Sequence, residues 1–373
     1  MKYIFLLLLA FLTFSPAQAD AVWFSSSWNY KVKVEVNPNK VGTTTAVTSM
    51  PVYNDCGGFP TTFWTNASST GADIRVVESD DTTETAFELV SFSTTSKTCE
   101  LHFMADSLGT TSTSTFYIYY GNATATAYAV TDTYGRNNVW TAYRAIYHMN
   151  SLTTDYSGNS RTLSNINTVG SATQFLGTSA DFTPNDTLEI NNSFVNSFPV
   201  VITGWINPDI VNGDGNMWSM SDNSIHYYQL KVGRGSDSHI VYRSNNSTQA
   251  EDEDSTITAV IDSNYKITTV IHSSTTMSMY INGYKYLDTV TTYAATGLTW
   301  FEIGSLKRAT RLQYSNSQMD EFRIKSSTDV AFEWTEYNNQ SSTSTFFYIG
   351  AEEAYSAGTS TVASTTDSII WFE

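Results

Sequence analysis

The histidines and carboxylates are the side chains from which catalytic chemistry could be built in this sequence. The histidines are His102, His148, His226, His239 and His272. None of them stands in an H-E-x-x-H or H-x-H pattern, and no G-x-S-x-G occurs, so the signatures of zinc peptidases and serine hydrolases are missing. His102 and His148 lie inside strand-like runs, and we interpret both as packed histidines.

Two acidic runs, at residues 251–254 and at Asp320 and Glu321, are candidates for a catalytic pair of carboxylates. A glycoside hydrolase needs two carboxylates that face one bond, and on a strand this requires an even spacing. Adjacent side chains point to opposite faces, so neither run predicts such a pair. We interpret residues 251–254 as a solvated loop, with an open calcium site as the alternative.

Oxygen-bearing side chains are also concentrated in one glycine-containing loop, at Asp209, Asn212, Asp214 and Asn216. Carboxylate and amide oxygens are the ligands that Ca²⁺ takes in flexible loops. The spacing is not that of an EF-hand, and Asn, Asp and Gly are common in turns for conformational reasons. A structural Ca²⁺ site and an ordinary turn are therefore both open at this loop.

Aromatic residues make up 14% of the sequence, and four of them lie in or near the loop-rich stretch 212–246. These four are Trp218, Tyr227, Tyr228 and Tyr242. Aromatic faces stack on sugar rings and provide large contact areas at a small entropic cost. We predict them as ligand-contacting residues, although packing in a core explains each of them as well.

The 373 residues include 36 acidic and 19 basic side chains, for a net charge of −17. A nucleic-acid-binding surface needs clustered Lys and Arg, so this balance predicts no nucleic-acid partner. With 41% hydrophobic residues the chain can form a packed core. The polar, aromatic and charge-poor composition is typical of exported β-structure.

The N-terminus has the layout of a secretory signal peptide. Lys2 precedes an apolar run over residues 3–14, and Pro16, Ala17 and Ala19 complete a cleavage pattern of the A-x-A type. The alternative is a membrane anchor, but the run is shorter than the ~20 residues that span a bilayer. We therefore predict that residues 1–19 are removed and that the mature chain has no membrane span. Its location is then extracellular or at the cell surface, with the periplasm as an option.

Cys56 and Cys99 are the cysteines of the sequence. In an oxidising compartment two cysteines have one possible pairing, so we predict a disulfide between them. Two separate free thiols are the alternative.

Strand patterns dominate the rest of the chain. Polar and apolar residues alternate at 30–36, 72–77 and 99–103, and Asn282-Gly283 after such a run is a strong hairpin signal. Residues 330–338 are the one segment that leaves helix and strand both open. The pattern predicts an all-β protein of sandwiches or jelly rolls. We place a boundary near 136–142, which gives units at 20–142 and 143–353, followed by a Ser/Thr/Ala-rich linker or tail at 354–373.

Several segments of the first unit together resemble the DUF2341 family. They are Phe63-Trp64, the D-I-R strand at Asp73-Ile74-Arg75, residues 87–90 and the closing Y-Y-G-N at residues 119–122. The resemblance implies a β-sandwich-like domain from exported, multi-domain surface proteins, with no defined activity.

The second unit resembles a laminin-G-like, or concanavalin A-like, jelly roll. The similarity rests on residues 147–149, 155–159, 203–206, 279–283, 301–304 and 319–324. Many members of this fold hold Ca²⁺, and the resemblance implies Asp320 as a ligand, with Asp155 as a second one. A local pairing of Asp320 with Arg323 is the alternative.

These observations favour a secreted, non-catalytic recognition protein whose jelly roll binds carbohydrate or another ligand on a cell surface, such as a protein. One alternative is a structural or adhesive protein of an envelope or virus-like assembly that has no small ligand. A glycoside hydrolase of the concanavalin A-like fold is the second alternative.

Overall fold

The computed structural model describes residues 23–356 except 43, 195–196 and 214. The predicted signal peptide and most of the predicted tail lie outside the described residues. The strands of the first half are β1 Tyr30–Val36, β2 Val47–Asn54, β3 Arg75–Glu78, β4 Glu84–Thr85, β5 Phe87–Ser93, β6 Thr98–Leu108 and β7 Ser114–Tyr120.

The remaining strands are β8 Tyr143–Tyr147, β9 Ser164–Ile166, β10 Gly170–Thr173, β11 Thr178–Phe182, β12 Thr187–Ile190, β13 Val200–Pro208, β14 Asn216–Ser221, β15 His226–Arg234, β16 His239–Asn246, β17 Ala250–Thr258, β18 Tyr265–Ser273, β19 Thr276–Ile281, β20 Tyr284–Thr291, β21 Trp300–Ile303, β22 Ser317–Lys325 and β23 Phe347–Ala354. The helices are α1 Phe63–Asn66, α2 Arg136–Val139, α3 Val330–Ser341 and α4 Thr343–Phe346, with 3₁₀ turns at Pro38–Lys40 and Gly235–Asp237. The all-β prediction is confirmed. None of the helices in the described part of the chain has the length and apolar character needed to cross a bilayer.

The first sandwich consists of a sheet in the order β23-β1-β7-β3-β4 and a sheet in the order β2-β6-β5. Alternating apolar residues from both sheets form one core, as Val34 of β1 and Leu101 of β6 illustrate. The predicted disulfide is confirmed: Cys56 follows β2 and is bonded to Cys99 on β6, with a Cα–Cα distance of 5.7 Å. The bond joins two neighbouring strands of the smaller sheet.

The last described strand corrects the predicted boundary of the second unit. β23 pairs antiparallel with β1, from Tyr30 opposite Ala354 to Val36 opposite Phe347. Phe346 and Phe347 are buried in the core of the first sandwich. The unit predicted at 143–353 therefore ends before β23, because the chain returns from the second sandwich to complete the first.

The second sandwich consists of a sheet in the order β10-β11-β22-β13-β18-β19-β20, with β8 also paired to β22, and a sheet in the order β17-β16-β15-β14-β21-β12-β9. One apolar core lies between them. The Asn282-Gly283 hairpin is confirmed between β19 and β20, since these residues have φ of 52° and 79°. Two positive φ values are what a type I′ turn requires, and they explain why Asn and Gly occupy the turn.

The acidic run at residues 251–254 is not a loop, as we had predicted, but part of the edge strand β17. Asp252 pairs with Arg243 at 3.0 Å and with Arg234 at 2.9 Å, and Asp254 pairs with His239 at 2.7 Å. Charged side chains on an edge strand oppose pairing with another chain. The run therefore protects a sheet edge.

The segment that the sequence left open, residues 330–338, is helical and belongs to α3. Asp329 caps this helix, because its carboxylate accepts a hydrogen bond from the backbone N–H of Phe332 at 2.8 Å. The helix contacts both sandwiches: Asn339 bonds to the backbone of Tyr53 in β2, and Glu336 pairs with Lys266 in β18. It therefore connects the two halves of the molecule.

Candidate functional site

The four aromatic residues predicted to contact a ligand are core residues. Trp218, Tyr228 and Tyr242 have no exposed surface, and Tyr227 is 4% exposed. The first three lie in the core of the second sandwich, where Tyr228 and Tyr242 stack with ring centroids 6.0 Å apart. A ring without exposed surface offers no face to a ligand, so the aromatic surface predicted here is corrected to core packing.

The two carboxylates implied by the family resemblance bind backbone groups. Asp155 accepts hydrogen bonds from the N–H groups of Ile146 at 3.1 Å, Ser157 at 2.9 Å and Arg161 at 2.9 Å. Asp320 is fully buried, and its two oxygens accept from the N–H of Leu176 and from its own neighbour in the chain. Burial, followed by the nearby Glu321 carboxylate, raises the pKa of Asp320 well above its usual range.

The predicted loop ligands are also engaged elsewhere. Asp209 accepts from the amide of Gln318 at 3.3 Å, and Asn216 donates from Nδ2 to the carbonyl of Ser305 at 2.5 Å. Asp214 lies outside the described residues. The described geometry does not show these side chains arranged around a common point. Calcium binding at these residues stays a prediction.

A different region, beside α3, forms a cleft of about 480 Å³. Three segments build it: the loop between β10 and β11, the end of β13 with the start of β18, and the last turns of α3. Its lining residues are Gln174, Phe175, Leu176, Trp205, Asn264, Tyr337, Gln340 and Ser341. We refer to this region as the aromatic cleft.

Three aromatic rings follow one another along the aromatic cleft. Phe175 and Trp205 have centroids 5.5 Å apart with their planes at 35°, and Trp205 and Tyr337 have centroids 5.9 Å apart with their planes at 30°. Trp205 is deeply buried, at 4% exposure, while Phe175 and Tyr337 are half-buried. The outer two rings thus retain exposed surface, and both contact Trp205.

The amide groups of the cleft have defined orientations. The indole N–H of Trp205 donates to Oε1 of Gln340 at 2.7 Å, and an indole N–H can only donate. Nε2 of Gln340 is therefore left as a donor, and in the described part of the chain it has no hydrogen-bond partner although the residue is 7% exposed. A buried amide donor without a partner costs free energy unless a ligand or water satisfies it.

Asn264 provides the second polar feature of the cleft. Its Oδ1 accepts from Nε2 of Gln174 at 3.0 Å and from Nδ2 of Asn207 at 2.6 Å. These bonds hold the β10–β11 loop against the start of β18.

The lining is uncharged. Burial, and then the neighbouring Tyr284, raises the pKa of Tyr337, so its hydroxyl stays neutral at physiological pH. The cleft therefore offers aromatic faces, amides and hydroxyls, which are groups suited to a neutral, hydroxyl-rich ligand.

Sequence reasoning missed this site for two reasons. Trp205 stands in a segment that carries a family resemblance, and Tyr337 stands in the segment left open between helix and strand, so neither was predicted to bind a ligand. Trp205 and Tyr337 are more than 100 positions apart, and nothing local in the sequence shows that α3 packs over β13. A usable signal is the segment 330–338, which the sequence leaves open and which carries Tyr337.

No family model and no curated protein matches this chain. Among solved structures, domain 4 of AbnA, an extracellular GH43 arabinanase from Geobacillus stearothermophilus solved with arabinotriose, is 17% identical with a TM-score of 0.46, over 52% of this chain and 98% of that one. The binding domain of botulinum neurotoxin DC, solved with rat synaptotagmin II, is 16% identical with a TM-score of 0.42, over 55% and 52%.

A structure of botulinum neurotoxin type C, whose cell entry depends on two ganglioside molecules, is 17% identical with a TM-score of 0.42, over 54% and 52%. The match spans about half the length of these toxin structures.

Proposed function

We propose that this protein is a secreted or cell-surface recognition protein that binds a neutral carbohydrate in the aromatic cleft and performs no chemistry on it. The observation that carries the proposal is the combination of two half-buried aromatic faces, Phe175 and Tyr337, with the unpartnered amide donor of Gln340. A pyranose or furanose ring presents an apolar face to an aromatic ring and hydroxyl groups at its edge to amides.

The absence of charge in the lining favours a neutral sugar. None of the eight residues that line the cleft is a carboxylate or a base. Hydrolysis of a glycosidic bond requires a positioned carboxylic acid and a second carboxylate, so this lining supports binding and not cleavage. A volume of about 480 Å³ is within the range of small-ligand sites.

Two further observations support export. The Cys56–Cys99 disulfide is a bond that persists in oxidising compartments, and the sequence begins with the layout of a signal peptide. A recognition protein for extracellular or surface glycans requires this location.

A glycan array with the mature chain tests the proposal. We expect binding to a restricted set of neutral oligosaccharides, and we expect Tyr337→Ala to lose it because the substitution removes one stacking face. Tyr348→Ala is the matched control, since Tyr348 is 53% exposed on β23 and does not line the cleft. Binding to a protein surface with no signal on any glycan would contradict the proposal.

A further inference from the structure

A cluster of two glutamates and two histidines is buried where the two sandwiches meet. Glu100 and His102 belong to β6 of the first sandwich, and His148 and Glu321 belong to the second, at the end of β8 and in β22. All four are buried, and one nitrogen or oxygen from each lies within 4.8 Å of the others. We refer to these residues as the interface cluster.

Two members of the interface cluster present atoms that bind nothing in the described structure. Neither ring nitrogen of His102 has a hydrogen-bond partner, although the side chain has no exposed surface. Oε1 of Glu100 also lacks a partner. Buried polar atoms of this kind are rare in folded proteins, and a bound ion is one of the few ways to satisfy them.

The ring of His148 is oriented by hydrogen-bond partners on both of its nitrogens. Nε2 of His148 lies 3.1 Å from Oε2 of Glu88, which also accepts the indole N–H of Trp140 at 2.5 Å. This leaves Nδ1 of His148 on the side of Glu321, at 2.5 Å from its Oε1. A histidine whose second nitrogen is bound by a carboxylate is the usual arrangement around metal ions, because the carboxylate fixes the ring and its tautomer.

The two glutamates are oriented in the same way. Oε2 of Glu321 accepts two hydrogen bonds from Arg323, at 2.9 and 2.5 Å, so Oε1 faces the cluster. Oε2 of Glu100 accepts from the amide of Asn150 at 2.8 Å. Gly177 approaches this same oxygen so closely that a Cβ there would lie 2.7 Å from it.

We propose that the interface cluster binds a single Zn²⁺ ion through Glu100, His102, His148 and Glu321. Imidazole nitrogens and carboxylate oxygens, four in number, are a ligand set that Zn²⁺ takes in tetrahedral geometry. Donors around such an ion are about 3.4 Å apart, so the four atoms, which lie within 4.8 Å of one another, would draw closer together when the ion binds. The site would be wholly enclosed by protein, which is typical of structural zinc.

The proposal goes beyond the proposed function, since the ion connects the sandwiches and does not contact the aromatic cleft's lining. It also differs from the calcium site predicted at Asp155 and Asp320, which uses other residues and oxygen ligands alone. Without the ion, the contact between His148 and Glu321 is an ordinary buried hydrogen-bonded pair. The test must therefore detect the metal directly.

The experiment is a zinc titration of the full mature chain after chelator treatment, read by elemental analysis and by thermal unfolding. We expect one equivalent of Zn²⁺ per chain and an increase in Tm of about 3 °C when free Zn²⁺ is a hundredfold above its Kd. His102→Gln should lose the bound equivalent and the increase. His226→Gln is the matched control, because His226 pairs with Asp222 on the surface, outside the cluster.

X-ray absorption spectroscopy of the zinc-loaded wild type does not depend on whether a variant folds. We expect two imidazoles in the coordination shell of the ion. Absence of stoichiometric zinc in the wild type, or full retention by a folded His102→Gln variant, would overturn the proposal. Stabilisation by Ca²⁺ and not by Zn²⁺ would also overturn it.

Discussion

At the scale of single residues, burial and the immediate neighbours together set the chemistry of several side chains. Gln340 is one example, because its orientation follows from the indole of Trp205, which cannot accept a hydrogen bond. Glu78 is another: burial, and then the carboxylates of Asp106 and Asp80, raise its pKa to about 7. Its Oε1 has no hydrogen-bond partner in the described part of the chain.

The raised pKa of Glu78 predicts a pH dependence of stability with a definite sign. Between about pH 4.5 and 7 the folded state keeps a proton on Glu78 that the unfolded chain releases, so this contribution is fully present below pH 4.5 and is lost as pH rises through 7. Glu78→Gln cannot ionise. In urea unfolding, we expect the free energy of unfolding of the variant to increase relative to that of wild type from pH 4.5 to 7. A difference between the two that stays constant from pH 4.5 to 8 would contradict the raised pKa of Glu78.

At the scale of elements, α3 contributes both to the aromatic cleft and to the packing of the β19–β20 hairpin. It carries Tyr337 and Gln340 into the aromatic cleft, and its other side contacts the β19–β20 hairpin through Trp334, whose ring lies 4.9 Å from that of Tyr284. The hairpin turn approaches the helix backbone: a Cβ on Gly283 would lie 3.0 Å from Cα of Trp334. The glycine is thus required both by its φ of 79° and by the neighbouring helix.

Gly283→Ala should therefore destabilise the protein for two reasons, the positive φ and the close approach of α3. A matched glycine has only the first. Gly235 also has a positive φ, of 58°, but no atom lies within 4 Å of its would-be Cβ. We expect Gly235→Ala to reduce the free energy of unfolding by about 1 kcal/mol, from backbone conformation alone. Gly283→Ala should lose clearly more in the same urea titration. Equal losses would show that α3 does not pack on the turn as described.

The alternation in β6 shows how far sequence patterns reach. Residues 99–103 alternate strictly, and this correctly predicted a strand with Leu101 and Phe103 in a core. The same pattern puts Glu100 and His102 on the opposite face of the strand, and we predicted His102 as a packed histidine. Instead the second sandwich covers that face, and both residues are buried against His148. Periodicity assigns residues to faces, but it does not say what covers each face.

At the scale of the whole molecule, the chain crosses between the sandwiches more than once. It leaves the first after β7, builds the second, and returns through α3 to add β23 beside β1. A sequence read in order predicts two consecutive units, because no local signal reveals a pairing between strands about 300 residues apart. The all-β class, the disulfide and the hairpin could be predicted from short-range patterns. The returning strand and the interface cluster could not.

This connectivity predicts that the two sandwiches unfold together. Unfolding the first would release β23 and break the bonds of Asn339 in α3 to Tyr53 in β2. The helix would then lose the support that holds its Glu336 against Lys266 of the second sandwich. We expect differential scanning calorimetry of the mature chain to give one transition whose calorimetric and van't Hoff enthalpies agree. Two resolved transitions would mean that the contacts through α3 contribute little to stability.

If the aromatic cleft binds a neutral sugar, isothermal titration calorimetry will measure that binding and its dependence on the two half-buried rings. The ligand is the best neutral oligosaccharide from the array, titrated into the wild type and into the Phe175→Ala/Tyr337→Ala double variant. Stacking on one aromatic ring contributes about 1 kcal/mol or more, so removal of both faces should weaken Kd by at least about 30-fold. An unchanged Kd in a folded double variant would contradict the account.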